Sequence, residues 1–250
     1  MKLVWEFEDS DVERVKAIVA SQSDNPFVKE RIGKNLWKRP PTISKERFWD
    51  VLVGCLLTSQ QRSGPQSRVN LFINHRPFPL SLARVRGARS RTKFVTNTLT
   101  DWGGIRFVNR IGVHLSRNLR VVDTDRWLEI DATLKGMCAK RSPDAEVRAA
   151  ADLQSMLAGV GPKQARNLLQ GLGLTLYEIP IDSRIVKWLN GAGFPVKLSA
   201  SALGDEHYYR FVLQGIRELC RAAGVLPCVF DAAVFSSYDS DGWTADNSVW

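Results

Sequence analysis

Residues 157–170, LAGVGPKQARNLLQ, join a glycine turn to the start of an apolar, helix-like run. Gly159 and Gly161 flank Val160, and glycines can take positive φ and let another molecule approach the backbone. Pro162 suits the first position of a helix, where its missing N–H would have no partner in any case. Together with the amphipathic stretch that precedes them, these residues predict a helix, a short turn and a second helix.

Two roles fit this turn. The N–H groups at the start of the second helix can hold a phosphate oxygen, as in motifs that bind the DNA backbone without recognising sequence. The same pattern also fits a hairpin of two helices that only packs. The turn alone leaves both interpretations open.

Lys163 occupies the second position of the predicted helix. The positive end of the helix dipole disfavours an additional proton there, and partial burial in a cleft would disfavour it further. A neutral amine is a nucleophile that can form a Schiff base with the aldehyde carbon of a sugar. Taken alone, a lysine at such a position is more often a phosphate ligand or a solvated side chain.

Asp182 lies in a second informative stretch, LYEIPIDSRIVKWL, at residues 176–189. It stands between an apolar approach and the start of a predicted helix, so its carboxylate can cap that helix. It can equally face a cleft, where it would stabilise a developing oxocarbenium ion or help to deprotonate Lys163. Read by itself, Asp182 is a weaker signal than the glycine turn.

The composition is that of a globular protein, with 44% apolar and 24% charged residues among 250. No apolar run reaches the length needed to cross a bilayer. The N-terminus, MKLVWEFEDS, turns acidic early, which is unlike a signal peptide. We therefore expect a cytoplasmic protein, associated with the nucleoid if the source is prokaryotic.

The four cysteines are scattered along the chain, and no two of them form a CxxC pair. In a reducing compartment this pattern favours free thiols over a disulfide framework. A zinc or iron–sulfur site needs several soft ligands at close spacing, which this sequence lacks. We expect neither a metal centre nor an organic cofactor.

The net charge of +9 and the pI near 9.6 indicate a polyanionic partner, because neutralised phosphates release counterions. A basic surface that binds nothing in particular is the alternative. The distribution of charge favours nucleic acid, since the segment 76–93 contains no acidic residue. The basic residues of that segment are Arg76, Arg84, Arg86, Arg89, Arg91 and Lys93, and four more arginines follow at 106, 110, 117 and 120.

The hydrophobic pattern predicts an all-α protein of about ten helices. The clearest helix begins at a capping serine in SKERFWDVLVGCLLTSQQ (44–61), where eight of the ten residues 48–57 are apolar, as in a helix buried on all sides. The proline-containing segment 25–44 is interpreted as a connection. LYEIPI at 176–181 is a doubtful strand, and the polar, acidic tail 236–250 is interpreted as loose.

The combination LAGVGPKQARNLL…IPIDSRIVKWL resembles the helix-hairpin-helix DNA glycosylases, the base-excision repair enzymes that include endonuclease III and the 8-oxoguanine DNA glycosylases. FWDVLVGCLLTSQQRSG (48–64) resembles the buried helix of that superfamily, which ends in a glutamine-bearing loop that enters the duplex. The resemblance covers roughly residues 47–190. It implies two helical domains with the active cleft between them, 47–172 forming one and 1–46 plus 173–250 the other.

The resemblance also implies roles for single residues. Lys163 matches the lysine of bifunctional members, which displaces the base and then cleaves the strand, and Asp182 matches the family aspartate. Gly159, Val160 and Gly161 match the hairpin that holds phosphate, where family members often bind a monovalent cation at the turn carbonyls.

Further DNA contacts follow from the same comparison. Either Gln60 or Gln61 matches the residue that fills the space left by the flipped base, with the register open by one. Arg166 and Arg184 are predicted to bind DNA as well. Arg184 stands where the family often has a histidine, two places after the aspartate.

Two features narrow the resemblance. The four-cysteine iron–sulfur loop that follows the aspartate in endonuclease III is absent from this sequence, which argues against that branch. GGIRFVNRIGVHLSRNL (103–119), followed by IDSRIVKWL (181–189), is closer to the compact microbial 8-oxoguanine glycosylases.

Trp49, Tyr238 and Trp243 are candidates for stacking on the base, although each also fits a core or surface position.

The resemblance thus implies a monomeric DNA glycosylase with associated AP lyase activity, acting on double-stranded DNA that contains a damaged base. We prefer 8-oxoguanine as the substrate, and oxidised pyrimidines, mismatched or deaminated bases and alkylated bases remain open. The main alternative is a non-catalytic helix-hairpin-helix DNA-binding module. An RNA-directed or structural helical protein is supported by the charge alone.

Overall fold

The computed structural model describes residues 4–239, 242–244 and 247. Over these ranges the regular structure is helical and contains no β-strand, so the all-α prediction is confirmed. The described helices are α1 (Asp9–Ser21), α2 (Pro26–Asn35), α3 (Lys45–Leu57), α4 (Arg68–Asn74), α5 (Leu82–Gly87), α6 (Arg91–Trp102), α7 (Val108–Asp123), α8 (Arg126–Ala139), α9 (Pro143–Met156), α10 (Pro162–Gly171), α11 (Ser183–Ala192), a short 3-10 helix (Ala202–Gly204), α12 (Glu206–Ala222) and α13 (Pro227–Ser237).

The central helix α3 forms as its sequence predicts. The hydroxyl of Ser44 caps it by accepting a hydrogen bond from the backbone N–H of Arg47 at 3.1 Å. Nine of its thirteen residues are buried, which explains why apolar side chains cover almost its whole circumference. The side chains of α4 to α10 pack around it in one large hydrophobic core.

The interpretation of residues 25–44 as a connection is wrong for its first part, which forms α2. The side chain of Asn25 accepts a hydrogen bond from the N–H of Phe27 at 3.0 Å, and Pro26 occupies the first helical position. Proline is well tolerated there, so this proline begins a helix rather than breaking one. The doubtful strand at 176–181 has no regular structure, and α5 forms within the basic segment 76–93.

A second hydrophobic core surrounds α12 and includes side chains of α1, α11 and α13. The helices α1 and α2 both pack on α13, so the two ends of the described chain meet. Trp243 is buried against Phe27, with the two ring centroids 4.6 Å apart, and this residue of the tail is therefore not loose. Ser236 and Ser237, at the start of the tail, belong to α13, while residues 240, 241, 245, 246 and 248–250 lie outside the described residues. The division into 47–172 and two chain ends stays a prediction.

No single helix of the described residues is both long enough and apolar enough to cross a bilayer. The helices α12 and α13 reach that length and hydropathy only as a pair bent by 100°.

Candidate active site

A cleft of about 670 Å³ opens where the start of α10, the start of α11 and the loop after α3 converge. Lys163 and Asp182 both line it, as the sequence predicts for a nucleophile and its carboxylate partner. The other predicted site residues that line the cleft are Gln60, Gln61, Gly159, Gly161 and Arg184. The fold thus brings together residues that lie more than 100 positions apart in the chain.

The hairpin turn between α9 and α10 is fixed from behind by α7. Asn118 on α7 binds Ala158 twice, because its amide donates to the carbonyl oxygen at 3.0 Å and its side-chain oxygen accepts from the N–H at 2.7 Å. Gly159 has φ +78°, and a Cβ at this position would lie 2.1 Å from Nδ1 of His114. Both the backbone conformation and the close contact therefore require glycine here.

Val160, the residue between the two glycines, turns into the main core and is only 5% exposed. The turn is thereby anchored on its inner side. At the N-terminus of α10, no described side chain forms a cap, in contrast to the serine-capped starts of α3 and α9. The first N–H groups of α10 thus have no side-chain acceptor within the described chain.

Asp182 caps α11 and also faces the cleft. One carboxylate oxygen accepts hydrogen bonds from the N–H groups of Arg184 at 2.9 Å and Ile185 at 3.1 Å. The other lies 3.4 Å from the guanidinium of Arg184. The two interpretations of Asp182 are therefore compatible, since capping fixes the orientation of a carboxylate that lines the cleft.

The loop that leads to Asp182 is held by buried polar groups. The carboxylate of Glu146 accepts three backbone hydrogen bonds, at 2.7 to 2.8 Å, from residues 176–178. The hydroxyl of Tyr209 accepts from the N–H of Ile181 at 2.6 Å and donates to the carbonyl of Ile179 at 2.7 Å. Burial raises the pKa of Glu146 to about 7, against the opposing effect of these hydrogen bonds.

Arg166 does not lie in the cleft, and the prediction that it contacts DNA is wrong. Its side chain is fully buried, with its guanidinium 2.9 Å from Glu178 and 2.7 Å from Glu206. The same guanidinium lies over the ring of Tyr209 at 4.7 Å. Arg166 therefore joins α10 to α12 and to the loop before Asp182, and no surface of it remains for a phosphate.

The two glutamines after α3 differ in their surroundings. Gln61 is half-buried, and its side-chain oxygen accepts a hydrogen bond from the N–H of Arg106 at 2.9 Å while its amide donates to the carbonyl of Leu57. Gln60 is exposed and has φ 56°, a conformation that residues other than glycine rarely adopt. Arg106 also donates to the carbonyl of Gln60 at 3.1 Å, which fixes this loop against the segment before α7.

Phe107 is a feature that the sequence analysis missed. It lies next to Arg106 and adopts φ 60°, so strained backbone occurs on both sides of the contact with the glutamine loop. The guanidinium groups of Arg106 and Arg110 lie over its half-exposed ring at 4.9 and 4.3 Å. In the sequence, this position is marked only by a phenylalanine that lies between two arginines. That pattern does not distinguish it from a phenylalanine of the core.

None of the three aromatic residues proposed for base stacking lines the cleft. Trp49 is fully buried in the main core, where its indole N–H donates to the carbonyl of Leu80 at 2.8 Å. Trp243 packs on Phe27, and Tyr238 lies on the surface. Phe235 of α13 lines the cleft instead, with the guanidinium of Arg184 at 3.9 Å from its ring.

The floor of the cleft is polar, which the sequence analysis did not foresee. Arg31, Gln170 and Asp231 reach it from α2, the end of α10 and α13. Because these residues lie up to 200 positions apart, no local pattern connects them. Among the described residues, no group of three His, Cys, Asp or Glu side chains is suited to hold a metal ion, and the expectations about cofactors stay predictions.

Comparison with solved structures relates this architecture to known proteins. An 8-oxoguanine glycosylase/lyase of Methanocaldococcus jannaschii, solved in complex with 15mer DNA containing 8-oxoguanine, matches with a TM-score of 0.66 over 93% of this chain and 100% of that one, at 14% identity. The chain shares the fold of an 8-oxoguanine DNA glycosylase. The resemblance predicted from the hairpin and the aspartate is therefore confirmed at the level of the fold.

Two further solved structures match the chain over almost its whole length. Another structure of the M. jannaschii 8-oxoguanine DNA glycosylase matches with a TM-score of 0.62, at 14% identity over 93% of this chain and 96% of that one. The 8-oxoguanine DNA glycosylase of Thermotoga maritima matches with a TM-score of 0.61, at 13% identity over 92% and 97%. No protein-family model and no curated protein sequence matches the chain. At sequence identities this low, the comparison shows a shared fold, and the activity is argued from the residues of the site.

Proposed function

We propose that the protein is a DNA glycosylase with associated AP lyase activity, which excises a damaged base, 8-oxoguanine in the first place, from duplex DNA. The observation that carries the proposal is the position of Lys163 and Asp182 on one cleft, between the hairpin and the glutamine loop. A DNA-binding module would need the hairpin but neither the amine nor the carboxylate beside it.

The surroundings of the hairpin suit a DNA backbone. The uncapped start of α10 presents N–H groups to a phosphate, and the helix dipole favours a negative charge there. Arg110 and Arg117 are exposed and lie about one helical turn on either side of His114, the α7 residue that faces the hairpin turn, so both bring positive charge near it. The M. jannaschii protein of the same fold was solved with DNA bound, which supports DNA as the partner.

Flipping a nucleotide out of the duplex leaves a space that the enzyme must fill. Gln60 is suited to this task because it is exposed, whereas both polar ends of the Gln61 side chain are engaged within the protein. The ring of Phe107, close to the same loop, is suited to wedge between neighbouring bases. We therefore assign the duplex-filling role to Gln60, with Gln61 and Arg106 as its support.

The chemistry begins when the nitrogen lone pair of Lys163 attacks C1′ of the extruded deoxyribose. The glycosidic bond breaks and its electron pair leaves with the base, while the carboxylate of Asp182 stabilises the positive charge that develops on the sugar. One proton of the lysine nitrogen passes to the departing base and the other to O4′, whose bond to C1′ breaks, so the sugar ring opens to an imine between C1′ and the lysine nitrogen. The imine acidifies the proton on C2′, whose removal by a base expels the 3′ phosphate, and water then releases the lysine.

These steps use no metal and no organic cofactor, so we propose that excision persists in the presence of a chelator. A monovalent cation at the carbonyls of the hairpin turn would act on DNA binding alone. In that case, replacing potassium by a bulky organic cation would change the affinity for DNA and leave the single-turnover rate at saturating enzyme unchanged.

Borohydride trapping tests the proposal directly. Duplexes with 8-oxoguanine, with an oxidised pyrimidine or with a mismatched base are incubated with the protein and borohydride, which reduces the imine to a stable adduct. We expect an adduct with 8-oxoguanine that is lost in Lys163→Gln and retained in Lys135→Gln, a matched change at an exposed lysine of α8. Tight binding without adduct or cleavage on any duplex would instead identify a DNA-binding module.

A further inference from the structure

The floor of the cleft contains three buried polar side chains that come from three helices. Arg31 of α2 is 8% exposed, Gln170 at the end of α10 is fully buried, and Asp231 of α13 is 5% exposed. All three line the same cleft as Lys163 and Asp182. A polar cluster of this kind is unusual in a protein interior unless its members are paired with one another or with a ligand.

The pairing within the cluster is incomplete. The amide nitrogen of Gln170 donates to a carboxylate oxygen of Asp231 at 2.8 Å. The side-chain oxygen of Gln170 and Nη1 of Arg31 are both buried without a hydrogen-bond partner in the described part of the chain. The floor thus presents one unpaired donor and one unpaired acceptor beside a carboxyl group.

Within the described part of the chain, Gln170 is the one group that donates a hydrogen bond to the carboxylate of Asp231. Burial raises the pKa of Asp231 to about 7 and the carboxylate of Asp182 adds to this shift, while the cation of Arg31, the hydrogen bond from Gln170 and the charge of Lys163 oppose it. Burial also lowers the pKa of Arg31. A ligand that offers N–H groups to Asp231 and an acceptor to Arg31 would stabilise both charged forms.

Building on the proposed function, we propose that Arg31, Gln170 and Asp231 recognise the Watson–Crick edge of the extruded base and select a guanine-type edge. That edge carries an acceptor, O6, followed by two donors, the N1–H and the 2-amino group. Arg31 then donates to O6, while Asp231 and the free oxygen of Gln170 accept from the two donors. Enzymes that flip bases commonly recognise them through this edge.

Other edges fit the floor less well. A uracil-type edge presents acceptor, donor and acceptor, so its second carbonyl would face an oxygen of Asp231 or Gln170. An adenine-type edge presents its amino group to the guanidinium of Arg31 and a bare N1 to the carboxylate. In each case two groups of like polarity are brought together in a water-poor site, where an unmatched polar group is most costly.

The test compares 8-oxoguanine with 8-oxohypoxanthine, which is the same lesion without the 2-amino group. Base release is measured under single-turnover conditions, and borohydride trapping on a preformed abasic duplex measures the lysine chemistry without any base. We expect the protein to release 8-oxoguanine roughly 10- to 100-fold faster than 8-oxohypoxanthine, the effect of losing a hydrogen bond to a charged group.

The variant Asp231→Asn should lose most of this preference, measured as the ratio of the two release rates, and should still form the adduct on abasic DNA, since the substitution removes a contact to the base. Gln170→Met removes the unpaired acceptor from another helix and should reduce the same preference. Asp152→Asn, the same substitution at an exposed position of α9, serves as the matched control.

Three results would overturn the inference. The first is equal release of the two lesions by the parent protein, and the second is an unchanged preference in Asp231→Asn. The third is loss of abasic trapping in Asp231→Asn, which would place this carboxyl in the chemistry or in folding rather than in base recognition.

A binding measurement separates this inference from the proposed function. Duplexes with 2′-fluoro forms of the two lesions resist cleavage, so their affinities report base recognition alone. If the parent protein forms no adduct on abasic DNA, the lyase proposal fails. Even then, tighter binding of the 2′-fluoro 8-oxoguanine duplex that disappears in Asp231→Asn would support the recognition of the base edge by Asp231. Equal binding of the two duplexes by the parent protein would refute it.

Discussion

Replacing Gly159 with alanine should lower the free energy of unfolding by about 2–5 kcal/mol, a large effect for the addition of one methyl group. Two features of the turn produce it. At φ +78° an alanine carries the left-handed penalty of about 1–2 kcal/mol. The new Cβ would also lie 2.1 Å from Nδ1 of His114, so the ring or the turn must move, at a typical overpacking cost of about 1–3 kcal/mol.

The two contributions can be separated by a double-mutant cycle. In a His114→Ala background the ring is gone, so Gly159→Ala should cost only the backbone penalty of about 1–2 kcal/mol. Gly161→Ala is the internal comparison, because Gly161 has an ordinary φ of −91° and no atom within 4 Å of an added Cβ. That change should cost less than about 1 kcal/mol, as expected for alanine at a helix N-cap.

Urea denaturation of the four proteins of the cycle measures these values, and fluorescence anisotropy with an abasic-analogue duplex measures binding. We expect Gly159→Ala to weaken DNA binding even where the protein remains folded, because the displaced turn no longer presents the N–H groups of α10. If Gly159→Ala unfolds at the same urea concentration as the parent protein, the turn does not have the tight contact with α7 described above, and the reasoning fails.

Three further predictions concern single side chains. Arg166→Met should cost about 3–5 kcal/mol in chemical denaturation, because the fully buried Glu178 and the partly buried Glu206 both lose their contact with the guanidinium. A stable variant that merely binds DNA less well would show that Arg166 serves DNA binding instead. Asp231→Asn should gain stability relative to the parent as the pH rises from about 4 to about 7, since burial raises the folded pKa of Asp231 from 3.8 to about 7 and only the parent carries the loss of stability due to this group. A pH-independent difference between the two denaturation midpoints would contradict this sign. Gln60→Ala should slow release of a base from duplex DNA about tenfold and leave abasic trapping on single strands unchanged. If only Gln61→Ala slowed release, the assignment of the two glutamines would be reversed.

The parts of the site that the sequence predicts are those encoded by local patterns. The hairpin, the helix after it and the capped start of α11 each lie within a dozen residues of chain, where glycine, proline and capping side chains act directly on the backbone. Lys163 and Asp182 were found because they occupy the starts of such helices. The resemblance then supplied their common cleft, which no periodicity in this chain would have shown.

The failures have a different physical origin. Arg166 was predicted to bind DNA because a basic residue on an amphipathic helix looks alike in sequence whether it faces solvent or the core. Its burial depends on Glu178 and Glu206, which are brought to it by the folding of separate elements. Pro26 was interpreted as a helix breaker because its position relative to a cap, rather than its identity, decides its effect.

The placement of α10 explains why a single short helix bears so much of the proposed function. Lys163 near its start and Gln170 near its end are seven residues apart, which is close to two turns, so both lie on the same face, about 10 Å apart along the axis. In the proposed complex Lys163 contacts the sugar and Gln170 contacts the far edge of the base, so α10 sets the distance between the nucleophile and the base-recognition site. Arg166 lies between them and fixes α10 through its ion pairs to Glu178 and Glu206. The variant Arg166→Lys keeps the charge but not the forked geometry, and should therefore weaken these ion pairs. We expect it to reduce the preference for 8-oxoguanine over 8-oxohypoxanthine more than it reduces abasic trapping. Recognition of the base requires both ends of α10 to be correctly placed, whereas the lyase step requires only the end that carries Lys163.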